Sequence, residues 1–290
     1  MMKYESIILI ALTILVALCI PSTHMPDTET YYGMAMNFVE QGDFTLYLRD
    51  WYIPVTKFPP LYPTLLSAGL RLGWSLDTSA RGINALAMGA LVGVLMEFMT
   101  GVRPALRYAV VSYLFLGSVR LFLFDAATET LFMALTFAAI LAFVQRRATL
   151  SALLAGLAVM TRYAGIVWIA LALLQLAPRW RLVRRYALLS LPPLVLWCAR
   201  NMLYGYPPLG ERGGGETLGI ISQEWVEYGI QFAGEFVLVA AVWLAVDAAL
   251  RCTVHGIQHR VEYGHGIEQR LRSVFGSIGC GSRDVGGTVD

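Results

Sequence analysis

The sequence predicts an all-α fold, a polytopic transmembrane helical bundle of about eight spans with interfacial helices in its first outer loop. Composition is the first reason: 57% of the 290 residues are hydrophobic and 14% are charged, and the mean hydropathy is +0.59. Ordinary soluble domains carry more charge than this. The second reason is that several apolar segments approach the length of a spanning helix, with arginines in the turns between them. The net charge of +2 is too small to predict a nucleic-acid partner.

The first predicted span, Tyr4 to Ile20, lacks both a small-residue cleavage site and a strongly basic start. We therefore expect an uncleaved anchor rather than a signal peptide. The later predicted spans are Ala80–Met99, Ala105–Phe124, Thr128–Val144, two short helices within Leu150–Leu176, Leu182–Ala199 and Ile230–Leu250. Residues 1–250 form the predicted membrane domain, and residues 251–290 form a polar cytoplasmic tail that is expected to be disordered or partly helical.

The arginines set the predicted orientation, because loops rich in Arg and Lys stay in the cytoplasm. With the amino terminus inside, the loops that contain Arg103 and Arg146 are cytoplasmic. One long helix over Leu150–Leu176 would put the arginine cluster that begins at Arg179 outside. Two short helices that turn near Thr161–Arg162 keep that cluster inside, so we predict this hairpin. Both termini are then cytoplasmic.

This topology brings four polar segments to the same outer face. They are the first outer loop (about residues 21–79), the segment Asp125–Glu129, the turn at Arg162 and the loop Arg200–Gln231. The sequence therefore predicts a functional site on the extracytoplasmic side.

The first outer loop is expected to contain amphipathic helices. Apolar residues recur at helical spacing from Tyr31 to Val39, Gly42-Asp43 can end that helix, and paired prolines precede the apolar segment Leu61–Leu72. The loop is rich in aromatic residues: Tyr31, Tyr32, Tyr47, Trp51, Tyr52 and Tyr62. An aromatic belt at headgroup depth is favoured over sugar stacking for most of them.

Several short motifs occur in a characteristic order. They are Asp27 and Glu29 after the first span, Tyr32–Met36, Gly42–Phe44, Lys57–Pro63, Ala127–Phe132, Gly156–Gly165, and Arg200–Asn201 followed by Gly205, Pro207 and Arg212. Together they resemble the GT-C class of membrane glycosyltransferases, in particular the superfamily of dolichyl-phosphate-mannose protein mannosyltransferases and aminoarabinose transferases. Members usually continue with further spans, so the resemblance also admits a truncated or partner-dependent relative.

The resemblance implies transfer of a sugar from a polyprenyl-phosphate donor to an acceptor hydroxyl at the outer face of the bilayer. The acceptor, whether protein, lipid or glycan, is not specified. An ionised carboxylate can take the proton of that hydroxyl as general base. Asp27 is the first candidate and Glu29 the second, although either could instead cap the helix that follows.

The leaving lipid phosphate gains negative charge and needs fixed positive partners. The candidates are Lys57, Arg162 and Arg200, the last together with Asn201, although an arginine at the end of a span can also snorkel to lipid phosphates. Asp125 and Glu129 could orient these cations, form an ion pair or hold a divalent metal, and the first two roles are favoured. Tyr32, Tyr62 and Arg212 are supporting candidates at this site.

No cofactor is predicted, and the histidines at 255, 259 and 265 are not expected to bind metal, because no CxxC pair accompanies them. A transporter or flippase for a lipid-linked substrate is the rival hypothesis, in which the buried charges would line a pathway. Two long outer loops with clustered acids favour the transferase.

Overall fold

The computed structural model describes residues 4–20, 26–48, 51–115 and 128–210, and within them the chain is mostly helical, as predicted. The helices are α1 (Tyr4–Cys19), α2 (Pro26–Gln41), α3 (Leu61–Arg71), α4 (Leu76–Phe98), α5 (Pro104–Tyr113), α6 (Glu129–Val144), α7 (Ala148–Thr161), α8 (Ile166–Leu176), α9 (Trp180–Ser190) and α10 (Pro192–Leu203). Two short strands, β1 (Thr45–Leu48) and β2 (Trp51–Pro54), follow α2. The predicted span Ile230–Leu250 and the tail from 251 lie outside the described residues.

Small residues let α1 lie directly against α4. A Cβ added at Gly89 would meet the side chain of Ile14, and one added at Gly93 would meet Ile10. The two helices are therefore antiparallel, since the later residue of α1 faces the earlier residue of α4. Glycines four apart on one helix face allow this close approach.

The predicted break near Thr161–Arg162, within the segment 150–176, is confirmed. Helix α7 ends at Thr161, Arg162 has an extended backbone (φ −147°, ψ 134°), and α8 begins after a single 3₁₀ turn. A Cβ added at Gly165 would lie 2.7 Å from the backbone nitrogen of Val159, so glycine is needed where the chain reverses. The two helices share a core of small and branched side chains with α6 and α9, which includes Ala139, Ala152, Ala155, Val159, Ile169, Ala172 and Tyr186.

The segment predicted as the span Leu182–Ala199 is bent. It consists of α9 and α10, whose axes differ in direction by 48°. The paired prolines Pro192 and Pro193 open the second helix. A proline interrupts a helix because its ring clashes with the preceding turn and its nitrogen donates no hydrogen bond, so the bend has a local cause.

The segment predicted as the first outer loop contains a β-hairpin that the sequence prediction missed. Helix α2 ends as predicted, since Gly42 has a left-handed backbone (φ 77°) and its N–H bonds the carbonyl of Phe38. The strands β1 and β2 then pair antiparallel, with Thr45 opposite Pro54. The sequence predicted helices in this loop but not these strands, because two short strands give too little alternating pattern to recognise.

The aromatic belt predicted for this loop is wrong for three of its tyrosines. Tyr31, Tyr32 and Tyr62 are 3%, 7% and 0% exposed and belong to the core between α2, α3 and α4. Tyr32 also donates a hydrogen bond to Asp77 at 2.8 Å. These side chains hold the outer loop to the start of α4.

Among the described residues, α4 is the helix that is long and apolar enough to cross a membrane by itself, with a mean hydropathy of 1.4 over its apolar window. The bent pair α9–α10 reaches the same standard when its two halves are taken together. Shorter apolar helices occur at Tyr4–Cys19, Glu129–Val144, Ala148–Thr161 and Tyr163–Leu176. Helix α5 ends at Tyr113, and the predicted span Ala105–Phe124 is described as far as Phe115.

Candidate functional site

The polar turn at Arg162 meets the start of α6. The Arg162 guanidinium forms an ion pair with Glu129 and lies 3.4 Å from the hydroxyl of Thr128. This ion pair is consistent with the predicted role of Glu129, which is to orient a nearby cation. Asp125, its predicted companion, lies outside the described residues, as does Arg212.

Arg200 joins α10 to the open end of the β-hairpin, where β1 begins and β2 ends. Its Nη2 donates to the Asp43 carboxylate at 2.6 Å and to the Phe44 carbonyl at 3.0 Å, and its Nη1 donates to the Val55 carbonyl at 3.2 Å. Phe44 precedes β1 and Val55 follows β2, and the Val55 N–H itself donates to Phe44. The guanidinium is thus committed to the protein, and its side chain is 18% exposed.

Two aromatic rings lie close to this guanidinium. Its Cζ lies 4.6 Å from the ring centroid of Trp197 and 4.9 Å from that of Tyr204. The hydroxyl of Tyr204 donates to the second oxygen of Asp43 at 2.5 Å. Such cation–π contacts add to the ion pair and fix the plane of the guanidinium.

The pKa of Asp43 is lower than that of an ordinary aspartate. Partial burial acts to raise it, but the hydrogen bonds from Tyr204 and Arg200 and the positive charge of Arg200 outweigh burial. The hydrogen bond to Asp43 in turn raises the pKa of the Tyr204 hydroxyl. Asp43 is therefore ionised at neutral pH. Its carboxylate binds Arg200 and Tyr204 and has a structural role.

The segment after the hairpin is held by backbone contacts at Thr56. Its carbonyl accepts hydrogen bonds from the Tyr163 hydroxyl at 3.1 Å and from the Asn201 amide at 3.3 Å. Asn201 is fully buried, and its amide also donates to the carbonyl of Pro208. In this arrangement Asn201 joins two segments of chain and is not open to a lipid phosphate.

A cleft of about 330 Å³ lies between α2, the hairpin and the segment that Thr56 begins. Its lining residues are Asp27, Thr30, Leu46, Ile53, Pro54, Val55, Thr56, Lys57, Phe58 and Tyr206. Asp27 and Lys57 are its charged members. Both Asp27 and Glu29 are exposed, but Glu29 is not among the lining residues. The structure thus separates the two carboxylates that the sequence left as alternatives.

Tyr31 connects this cleft to the Arg162 ion pair. Its ring packs edge-on against Phe58, with centroids 5.0 Å apart. Burial raises the pKa of its hydroxyl well above the usual range, and the hydrogen bond with Thr128 and the charge of Arg162 offset this effect in part. The hydroxyl is therefore neutral and lies in the field of both Asp27 and Glu129.

Most of these residues were predicted from the sequence, and Glu129 pairs with one of the predicted cations, Arg162. Asp43 was noted within the Gly-Asp-Phe motif as a helix end, and its partner Arg200 was assigned to phosphate. Tyr163 and Tyr206 were not singled out as site residues, although Tyr163 follows Arg162 directly at the predicted turn. In the described part of the chain, no group of three or more His, Cys, Asp or Glu side chains could hold a metal ion.

No protein-family model matches this chain, and neither a curated protein nor a solved structure matches it.

Proposed function

We propose that this chain is a multi-pass integral membrane glycosyltransferase whose reaction takes place in the Asp27 cleft, on the extracytoplasmic side. It transfers a sugar from a polyprenyl-phosphate donor to an acceptor hydroxyl. The observation that carries the proposal is that Asp27 and Lys57, named from the sequence as base and phosphate ligand, line one cleft. They approach it from separate elements, α2 and the segment after β2.

In the proposed reaction, Asp27 accepts the proton of the acceptor hydroxyl as that oxygen attacks the anomeric carbon. The bond between the anomeric carbon and the phosphate oxygen breaks, and the lipid phosphate leaves with an additional negative charge. Lys57 supplies the positive charge that stabilises it. Its ammonium lies 5.0 Å from the Phe58 ring centroid, which limits its positions over the cleft.

The proposal assigns other roles to Arg200 and Asn201, because their donors bind Asp43 and backbone carbonyls. Arg162 pairs with Glu129 and is not among the lining residues of the cleft. Lys57 is therefore the cation with direct access to the donor in the described residues. Exposed apolar side chains on α1, including Ile8 at 68% and Leu15 at 62%, support burial of this helix in lipid.

The decisive experiment compares Asp27→Asn with Glu29→Gln in the purified full-length protein in nanodiscs. Radiolabelled polyprenyl-phosphate sugars serve as donors, and total membrane extract serves as the source of acceptors. We expect Asp27→Asn to lower kcat by roughly 10²- to 10⁴-fold, the usual contribution of a general base. Glu29→Gln is the matched control, two residues along the same helix, and should keep nearly full activity.

Lys57→Gln should raise the KM for the donor or slow departure of its phosphate, whereas the acceptor KM should change little. Equal activity of wild type and Asp27→Asn would overturn the assignment of the base. The folded protein could instead move the intact donor across the membrane of a vesicle without transferring its sugar. This result would overturn the glycosyltransferase proposal in favour of a transporter.

A further inference from the structure

Helix α9 has an exposed face on which arginines surround apolar side chains. Arg181, Arg184 and Arg185 are exposed, and at 100° per residue they lie on both sides of Leu188, which is 66% exposed. Trp180, at the edge of the same face, is 69% exposed. The opposite face of α9 is buried, where Tyr186 packs in the core and bonds Ser151. We refer to the exposed side as the arginine face.

The arginine face has no counter-charge within the helices that pack around it. Helices α7, α8 and α10 contain no Asp or Glu, and the sequence has none from Thr130 to Gly210. Neither the ion pair between Arg162 and Glu129 nor that between Arg200 and Asp43 involves α9. Within the described residues, the arginines of this face therefore have no anionic partner.

The arginine face lies far from the Asp27 cleft. Helix α8 runs from the turn at Arg162 to the segment before α9, and its 11 residues span about 17 Å. Tyr186 of α9 faces Ser151 near the start of α7, so the turn at Arg146 and Arg147 is at the same end. One end of the molecule thus holds the cleft, and the other holds a concentration of arginines.

Trp180 and Leu188 indicate which anion fits this surface. An indole favours the depth of lipid headgroups, and an isolated leucine among guanidinium groups gains by burial in the acyl boundary below them. Guanidinium groups bind phosphate oxygens bidentately. Nucleic acid would satisfy the arginines but would leave Leu188 in water.

We propose that the arginine face of α9 binds the headgroups of anionic phospholipids in the bilayer that surrounds the protein. Arg181, Arg184 and Arg185 bind lipid phosphates, while Trp180 and Leu188 enter the boundary between headgroups and acyl chains. This surface is distinct from the Asp27 cleft, and the proposal does not depend on sugar transfer.

The test uses the full-length protein in nanodiscs that contain brominated phosphatidylglycerol or brominated phosphatidylcholine. Quenching of Trp180 is obtained as the difference between wild type and Trp180→Phe. We expect phosphatidylglycerol to quench Trp180 in preference to phosphatidylcholine. In Arg184→Gln/Arg185→Gln that preference should fall by roughly fivefold for each arginine removed, the usual contribution of a basic residue at an anionic membrane surface.

Two variants separate specific binding from general effects. Arg146→Gln/Arg147→Gln removes the same charge from the same end and should leave the preference at Trp180 nearly intact. Arg184→Lys/Arg185→Lys keeps the charge and should retain most of the preference, which shows that the helix remains folded. Equal quenching by both lipids in wild type, or equal loss in both glutamine variants, would overturn the proposal. Binding of RNA that depends on Arg184 and Arg185, without lipid preference, would assign the face to nucleic acid instead.

Discussion

At the scale of single residues, neighbours in sequence have different surroundings. Asp27 and Glu29 both belong to the first turn of α2, and a separation of two residues turns their side chains about 200° apart on a helix. Asp27 lines the cleft and Glu29 does not. A sequence motif places two carboxylates near the site, but the helix phase decides which of them reaches it.

Asp43 provides a prediction about pH. Because its pKa is lowered in the folded protein, its ionisation stabilises the fold above the unfolded pKa of about 3.9, and this stabilisation is lost as pH falls through the folded value. Asp43→Asn should therefore lower the melting temperature at pH 7. The difference in melting temperature between wild type and variant should become smaller as the pH approaches about 3. Melting curves in detergent over this range measure it. A constant difference at every pH would show that the Asp43 charge does not stabilise the fold.

Two glycines offer a matched comparison beside the cleft. Gly205 and Gly210 have nearly the same left-handed backbone, with φ of 78° and 77°. A Cβ at Gly210 would clash with the Thr56 carbonyl and lie 2.7 Å from the backbone nitrogen of Lys57, whereas one at Gly205 meets nothing within 4 Å. Both alanine variants should lose about 1 kcal/mol from the backbone conformation, measured by denaturant unfolding. Gly210→Ala should lose more and should also weaken donor binding; equal losses in both would contradict the contact.

At the scale of elements, Arg200 fixes the position of the β-hairpin against α10. Arg200→Gln removes the ion pair to Asp43 and the bonds to Phe44 and Val55. We expect faster hydrogen exchange at the amides of residues 45–54 in this variant, measured by mass spectrometry. Arg81→Gln removes an exposed arginine elsewhere and should leave that exchange unchanged. Unchanged exchange in Arg200→Gln would show that strand pairing alone holds the hairpin.

Because α1 packs against only part of α4, alanine substitutions at two glycines of α4 should change stability in opposite directions. Gly82 of α4 has open space where a Cβ would stand, whereas at Gly89 a Cβ would lie 2.6 Å from Ile14. Gly82→Ala should stabilise the protein by roughly 0.5–1 kcal/mol, because alanine favours the helix. Gly89→Ala should destabilise it by forcing α1 away. Unfolding in detergent measures both, and stabilisation by Gly89→Ala would contradict the close packing.

The elements show how far sequence reasoning reaches. The break at Arg162 was predictable, because the positive-inside rule excluded one long helix there. The bend before Pro192 was also marked, by two prolines inside an apolar segment, but hydropathy alone merged the two helices. The β-hairpin and the pairing of Asp43 with Arg200 were not predictable in the same way. Partners 157 residues apart leave no local pattern in the sequence.

At the scale of the whole molecule, charge separates the two ends. The cleft, the Arg162 ion pair and the anchored hairpin lie at one end, and the arginines of α9 and of the turn before α7 lie at the other. Because successive helices alternate in direction, the cleft of the proposed reaction and the arginine face lie at opposite ends of the molecule. This asymmetry supports the proposed orientation of the protein in a bilayer.

Labelling of single cysteines tests that orientation, in a chain whose native cysteines are first replaced by serine. A membrane-impermeant maleimide added to sealed right-side-out vesicles should label Lys57→Cys, which lines the cleft. Arg147→Cys, an exposed position at the opposite end, should react after the vesicles are lysed. Labelling of both before lysis, with vesicles shown to be sealed, would contradict a transmembrane arrangement.

The carbonyl of Thr56 has a consequence for how this protein can vary. Tyr163 and Asn201 share it as a hydrogen-bond acceptor, and Gly210 lies against it. Changes at these positions are therefore energetically coupled, and their effects on stability should not add. Once one donor is lost, the cost of losing the other differs from its cost in the intact protein. Diverging copies of this chain should alter these positions in concert rather than one at a time.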